Sequence, residues 1–382
     1  MSLRKGLILF ILLAFGANAV IIAKSVDHDT VRSLLSSNKL LLMGALGVVL
    51  LSWMCDAGRF CALSHAAQER VPFSMGIVLT WLNYFGSAVT PMQSGGGPFQ
   101  VYVLYKKGVA IGKGIAITLV RTMLTVLILS VVVPTVLAMD PAILSLVVPT
   151  ALFLEPSILE ASPFLKGLVF YVFAVIGCTW IFILFTILRP GSLKRLGKIA
   201  ILWMKRLNLV KSNRRVIGCF QWLDREVDNY IMNFRLAFRS GKGWMLLATA
   251  LSVLHLLLIF SVLPILMSAV GLSYSYTQTL ATQAVFMFVL YFIPTPGASG
   301  FAESGGALLF GTLMPWNMAG VMAIIWRFFT EYLSIFMGVV VVIRMLGWGV
   351  SEELHQGVSP EEEARDEARR SPSNEGISSK NL

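Results

Sequence analysis

Long apolar runs alternate with short polar interruptions along this chain. Six runs read as helices long enough to cross a bilayer core, at residues 6–23, 40–55, 115–139, 164–188, 244–270 and 318–343. Two further apolar segments, 73–89 and 277–293, run straight into glycine-rich breaks. Residues 90–100 read TPMQSGGGPFQ and residues 295–304 read TPGASGFAES. Aligned on their Thr-Pro pairs, the breaks share the pattern TPxxSG, carried by Thr90, Pro91, Ser94 and Gly95 and again by Thr295, Pro296, Ser299 and Gly300. Each break follows an apolar segment and precedes a helix holding a single arginine, Arg121 or Arg327, so one element is predicted to occur twice.

If each interrupted segment folds back on itself, either half of the chain has three crossings plus a hairpin. Three is odd, so the halves must be inverted. The predicted fold is an all-α polytopic membrane protein, an inverted repeat of two halves, each with about three transmembrane helices plus a re-entrant broken-helix hairpin. The first repeat covers residues 1–140 with its hairpin near 73–105, and an external loop follows at 141–163. The second repeat covers 164–343, with a cytoplasmic basic loop at 189–242 and a hairpin near 277–316, and a polar cytoplasmic tail occupies 344–382.

Composition agrees. Of 382 residues 56% are hydrophobic and 13% charged, which leaves no room for a large soluble domain. The net charge of +11 is uneven: residues 189–242 hold thirteen Lys or Arg against three acids, whereas 140–163 hold three acids and no base. By the positive-inside rule the first stretch is cytoplasmic, the second external and both termini inside, so the basic excess is a topology signal and no nucleic-acid partner is expected. Lys106, Lys107 and Lys113 place the ends of the first hairpin on the cytoplasmic side. Arg4, Lys5 and the sequence ANA at 17–19 resemble a signal peptide, but apolar residues continue to Ala23, so a retained first helix is expected. The four cysteines lack metal or redox spacing and read as packing residues.

Backbone at membrane depth leaves regular structure only where protein or a water-filled cavity satisfies its polar groups, so the breaks should line a cavity. Thr90, Ser94, Gly95, Gly96, Gly97 and Gln100 from the first break and Thr295, Gly297, Ser299 and Gly300 from the second form the candidate substrate-binding set. The glycines allow close approach of a ligand, Pro98 suits the start of a returning half-helix, and free amides there favour a phosphate or carboxylate. Arg121 and Arg327 join the set because a charge within a span is normally paired or faces a cavity, and either can hold a lipid phosphate bidentately. Glu331 lies one helical turn from Arg327, where it either binds substrate or neutralises that arginine. Glu303 follows the second break, as a helix cap or as a coupling site. His255 reads as a packed, hydrogen-bonded histidine. With no HExxH and no Walker A pattern, no catalytic residue, metal site or cofactor is assigned. The basic loop reads equally as amphipathic helices on the inner leaflet or as a solvated helical hairpin.

Residues 294–303, PTPGASGFAE, together with TPMQSGGGPFQVYVLY and the single arginines after them, resemble the transmembrane flippase-like domain of the lysylphosphatidylglycerol synthase family. The full-length members add amino acids to phosphatidylglycerol and translocate the product. The likeness is carried chiefly by Pro294, Pro296, Gly297, Gly300 and Glu303, with Ala298 standing where a second glycine is common and Gln100 near where a base is common. The tail after Arg344 has no room for an aminoacyl-transfer domain, so the resemblance implies the translocating half alone. The expected function is a flippase or transporter moving an anionic or phosphate-bearing lipid between leaflets of a bacterial inner membrane, and not an enzyme. Two alternatives stand: a transferase modifying a lipid headgroup with Glu303 or Glu331 as base, and a scaffold whose 189–242 loop recruits a cytoplasmic partner. The reading is compatible with a homo-oligomer.

Overall fold

The computed structural model describes residues 3–25, 28–139, 241–291 and 293–355, with isolated residues between 177 and 232. The expected crossing at 164–188, the external loop at 141–163, most of the basic loop and the end of the tail lie outside the described residues. The chain forms two units, Met1–Gly338 and Val339–Leu382, and every contact below lies within the first. The described residues are helical: α1 (Leu3–Ser25), α2 (His28–Leu35), α3 (Lys39–Ala66), α4 (Phe73–Ala88), α5 (Gly96–Lys106), α6 (Ile111–Met139), α7 (Lys242–Ala269), α8 (Tyr276–Leu290), α9 (Phe301–Phe310), α10 (Trp316–Arg327), a π-helical turn (Phe328–Tyr332) and α11 (Leu333–His355). Among the described residues, four stretches are long and apolar enough to span a membrane, Lys39–Ala66, Ile111–Val133, Lys242–Ala269 and Trp316–Met345, with a shorter apolar stretch at Ile8–Ile22. The chain is an all-α multi-pass membrane protein.

Element lengths recur along the chain. α3 and α7 have 28 residues each, α4 and α8 have 16 and 15, and α5 and α9 have 11 and 10. Local chemistry sets several of these ends. Asn38 caps α3, its side chain accepting from the amides of Leu40 and Leu41, and Ser275 caps α8 through the amide of Gln278. At the end of α7, Gly271 takes φ +75°, and the amides of Gly271 and Leu272 return to the carbonyls of Ser268 and Met267, the Schellman arrangement that only a left-handed residue permits.

The two breaks make the same turn. In each, the two residues after Thr-Pro have positive φ, Met92 (53°) and Gln93 (52°) in the first and Gly297 (59°) and Ala298 (54°) in the second. The next serine closes the turn with its amide on the proline carbonyl, Ser94 to Pro91 at 3.2 Å and Ser299 to Pro296 at 3.0 Å. Two successive positive φ values closed by such a bond mark a type I′ turn. Both serine hydroxyls donate to the same carbonyls, at 2.9 and 2.7 Å. The turns also meet: Pro91 and Pro296 form an antiparallel bridge, and the Gly297 amide lies 3.4 Å from the Thr90 carbonyl.

Around them the core is apolar and well interlocked. α3 packs along α7, and Val262, Leu263, Phe286, Phe310 and Trp326 fill the interior beside the second break. Trp326 meets Phe310 edge-on at 5.5 Å, and the Trp53 indole donates to Ser334 Oγ at 2.8 Å. α1 packs against α4, α9 and α10.

Candidate functional site

Beside the paired turns lies a cavity of about 640 Å³ whose walls mix polar and apolar groups, lined from α3 by Arg59, from α4 by Asn83, Tyr84 and Ser87, from the first break by Met92, Gln93 and Ser94, and from α6 by Arg121 and Thr125. His255, Tyr291, Thr330 and Glu331 close it from the other half of the chain. Two buried ion clusters border it, and they have opposite charge composition.

The first cluster is one carboxylate between two guanidinium groups. Asp56, fully buried on α3, accepts from Arg121 Nε at 3.2 Å and Nη2 at 2.7 Å, from Thr80 Oγ1 at 2.8 Å and from Arg59 Nε. Arg121 also donates to Asn83 Oδ1 at 3.2 Å, and Arg59 to Thr125 Oγ1 at 3.0 Å. The bidentate pair fixes Arg121 with its remaining surface toward the cavity. Asp56 and Arg59 sit on one face of α3, three residues apart, and their mutual neutralisation lets a helix carrying both run on to Ala66. The apolar run stops at Cys55 in the sequence because these two charges follow it.

The second cluster is one guanidinium between two carboxylates. Arg327 is fully buried, with Nε 3.4 Å from Glu303 Oε1, Nη2 donating to the Gly297 carbonyl at 2.6 Å, and Nη1 2.5 Å from Glu331 Oε1 as an ion pair without an aligned hydrogen bond. Glu303 takes the third position of α9 and accepts the Gly300 amide at 2.7 Å, a helix cap, while its other oxygen accepts from Tyr332 at 2.6 Å. Tyr332 in turn accepts from Asn18 of α1 at 3.1 Å. This network ties α1, the second turn and the π-helical segment together. π-turns are found disproportionately at functional sites, and this one carries Glu331.

Of the candidate set, Arg121, Glu331, Ser94 and Gly97 line the cavity. The others hold the breaks in shape. Thr90 donates to the Gly86 carbonyl at 2.8 Å and accepts the Gly95 amide at 2.7 Å. Gly95 and Gly96 admit protein rather than open space: a β-carbon would stand 2.5 Å from Thr90 at the first and 2.2 Å from Asn83 Oδ1 at the second. Only at Gly97 of these three is the neighbouring space open. Gln100 is buried and donates to the Leu79 carbonyl at 2.9 Å. Thr295 donates to the Ser299 carbonyl at 3.1 Å. Gly297 and Gly300 adopt positive φ, and Ser299 is buried within its own turn. Pro98 takes the third rather than the first position of α5, still within the turn that lacks amide partners. His255 is packed, with Nδ1 3.0 Å from the Ser52 carbonyl, and its ring reaches the cavity wall.

Sequence reasoning missed Asp56, Arg59, Asn83 and the tyrosines. The signal for the first two was an acid and a base three residues apart at the end of an apolar run. Nothing local marked Asn83, Tyr84 or Tyr291. In the basic loop, Lys194 pairs with Asp228 at 2.7 Å and Lys198 with Asp224 at 2.8 Å, an antiparallel sense of pairing among its described residues.

The chain is 23% identical over 341 residues to a "UPF0104 membrane protein" of Archaeoglobus fulgidus, a match covering 87% of this chain and 94% of that protein. The model of the lysylphosphatidylglycerol synthase TM region matches residues 6–338, which include both breaks and both ion clusters. The chain therefore belongs to the lysylphosphatidylglycerol synthase TM region family.

Proposed function

We propose that the protein moves a phosphate-bearing lipid between leaflets of the plasma membrane, headgroup through the polar cavity and acyl chains alongside it. One observation carries this reading. The cavity shares the lining residues Gly97, Thr122 and Val126 with an apolar groove of about 620 Å³ between α5 and α6, lined by Pro98, Val101, Tyr102, Ile115 and Leu119. A chamber holding charged side chains, set beside an apolar trough, has the two-part chemistry of a lipid. It also spares the headgroup the hydrocarbon penalty of an unassisted crossing.

The halves are arranged as an inverted repeat, and α4–α5 and α8–α9 are re-entrant hairpins. The recurring element lengths, the shared turn and the antiparallel meeting of Pro91 with Pro296 support this arrangement. Both termini and the basic loop lie on the cytoplasmic side by the positive-inside rule. Transport is favoured over catalysis because, of the two bases a transferase could use, Glu303 is fully buried with both oxygens bonded and Glu331 is ion-paired to Arg327.

The test is leaflet redistribution of chain-labelled phospholipids in proteoliposomes. Wild type is expected to accelerate movement. Arg121→Lys, which cannot keep the bidentate bond to Asp56, and Thr122→Trp, which adds bulk at a residue lining both cavity and groove, are each expected to lower the rate by about tenfold or more. Movement unchanged in folded Thr122→Trp protein sinks the proposed route, and no movement of any phospholipid by wild type sinks the function.

A further inference from the structure

We infer that the lipid crosses together with a proton, and that His255 carries it. The inference rests on the lipid-transport reading above and names what the transport is coupled to.

His255 lies midway along α7, whose other ionisable side chain, Lys242, stands at its first residue. Its Nδ1 is 3.0 Å from the Ser52 carbonyl of α3. A carbonyl only accepts, so Nδ1 bears the ring hydrogen and Nε2 is left with a lone pair. Nε2 has no hydrogen bond among the described residues, and the side chain borders the cavity although the residue is only 7% exposed. One ring nitrogen is tied into the fold and the other is available to whatever enters the cavity.

The other ionisable groups around the ring are committed elsewhere. On α3, Asp56 and Arg59 pair with each other, and Arg121 of α6 is held on the same carboxylate. In the π-helical turn Glu331 pairs with Arg327 of α10, which also pairs with Glu303 of α9. Tyr84 of α4 and Tyr291, just past α8, line the cavity as phenols, which ordinarily ionise only near about pH 10. Histidine is the side chain that ordinarily changes charge between about pH 5 and 8.

Arg59, Asp56 and Arg121 act on the ring electrostatically and together leave one positive charge beside it. Protonating Nε2 adds a further positive charge among them, and a phosphate entering the cavity supplies the counter-charge. Phosphate and proton therefore bind cooperatively, each raising the affinity for the other by the same factor. The proton comes from water on the loading side, sits on Nε2 while the headgroup is inside, and returns to water when the headgroup leaves. No bond of the lipid forms or breaks.

Chain-labelled phosphatidylglycerol and phosphatidylethanolamine in proteoliposomes are the probes, with protein-free vesicles as background. Under an imposed difference of about pH 6 on one side and about pH 8 on the other, wild type is expected to move lipid toward the alkaline leaflet about fivefold faster than toward the acidic one. His255→Asn places an amide nitrogen near where Nδ1 stands, so the bond to Ser52 is kept and Nε2 is removed, and it is expected to move lipid equally in both directions. Should His255→Asn not fold, His255→Gln, also unable to take the proton, is read in the same way. Equal rates in both directions by wild type, or an unchanged bias in the folded variant, overturn the proton on His255 while leaving translocation standing. If neither lipid moves at any pH, translocation fails and this inference falls with it.

Discussion

Ala298 holds a φ of +54°, fully buried in the second turn, at the position where the family resemblance expects glycine. An L-residue is strained there by roughly 1 kcal/mol, so Ala298→Gly should be neutral or stabilising by up to about 1 kcal/mol. Its neighbour behaves oppositely. Gly297 has φ +59°, and a β-carbon would stand 3.0 Å from Ala88 Cα and 3.1 Å from the Phe10 ring. Gly297→Ala combines strain with crowding against backbone and should destabilise by about 2–4 kcal/mol, read from thermal unfolding in detergent. The contrast checks the turn type directly, since equal effects at both positions would contradict it. Asp56 offers a second residue-scale check. Asp56→Asn leaves two buried guanidinium groups without a counter-charge and should destabilise by about 3–5 kcal/mol, more than any single change on the cavity surface. At this scale the sequence singled out Arg121 and Arg327 but neither Arg59 nor the groups that hold them. Arg327 and Glu331 are one helical turn apart and could be paired by spacing. Arg121 and Asp56 lie on different helices, and only tertiary packing joins them.

Among the elements, α4 and α5 approach closely because Gly96 leaves room for the Asn83 side chain, which in turn reaches Arg121. Gly96→Ala should destabilise by about 1–3 kcal/mol and release Asn83 from Arg121, whereas Gly97→Ala meets nothing within 4 Å and should leave stability unchanged or raise it by up to about 1 kcal/mol. Comparing the two unfolding temperatures tests whether the glycine run serves packing or ligand. The helices themselves were legible as apolar runs, and both broken segments were legible as glycine and proline interrupting them. The ends were less so. α3 runs to Ala66, past the predicted stop at Cys55, because Asp56 and Arg59 neutralise each other, and an apolarity count registers only their charge. The π-helical turn at Phe328–Tyr332 has no sequence mark at all.

For the molecule as a whole, the repeated TPxxSG pattern implied that one part is used twice, and both copies do make the same turn and touch through Pro91 and Pro296. The repeat could not reveal that the copies are surrounded by opposite charge, two arginines with one acid against two acids with one arginine. That difference arises from residues outside the shared TPxxSG pattern. The central claim is that lipid passes through the chamber these turns border. Ser94 is exposed, lines the chamber and bonds only within its own turn, which makes it a suitable plug point. In a variant with Cys55, Cys61, Cys178 and Cys219 replaced and Ser94→Cys introduced, lipid redistribution should be followed before and after modification by a bulky, reducible thiol reagent, and again after reduction. Loss of movement on modification and recovery on reduction is the predicted result. Undiminished movement with the thiol fully modified would contradict passage through the chamber.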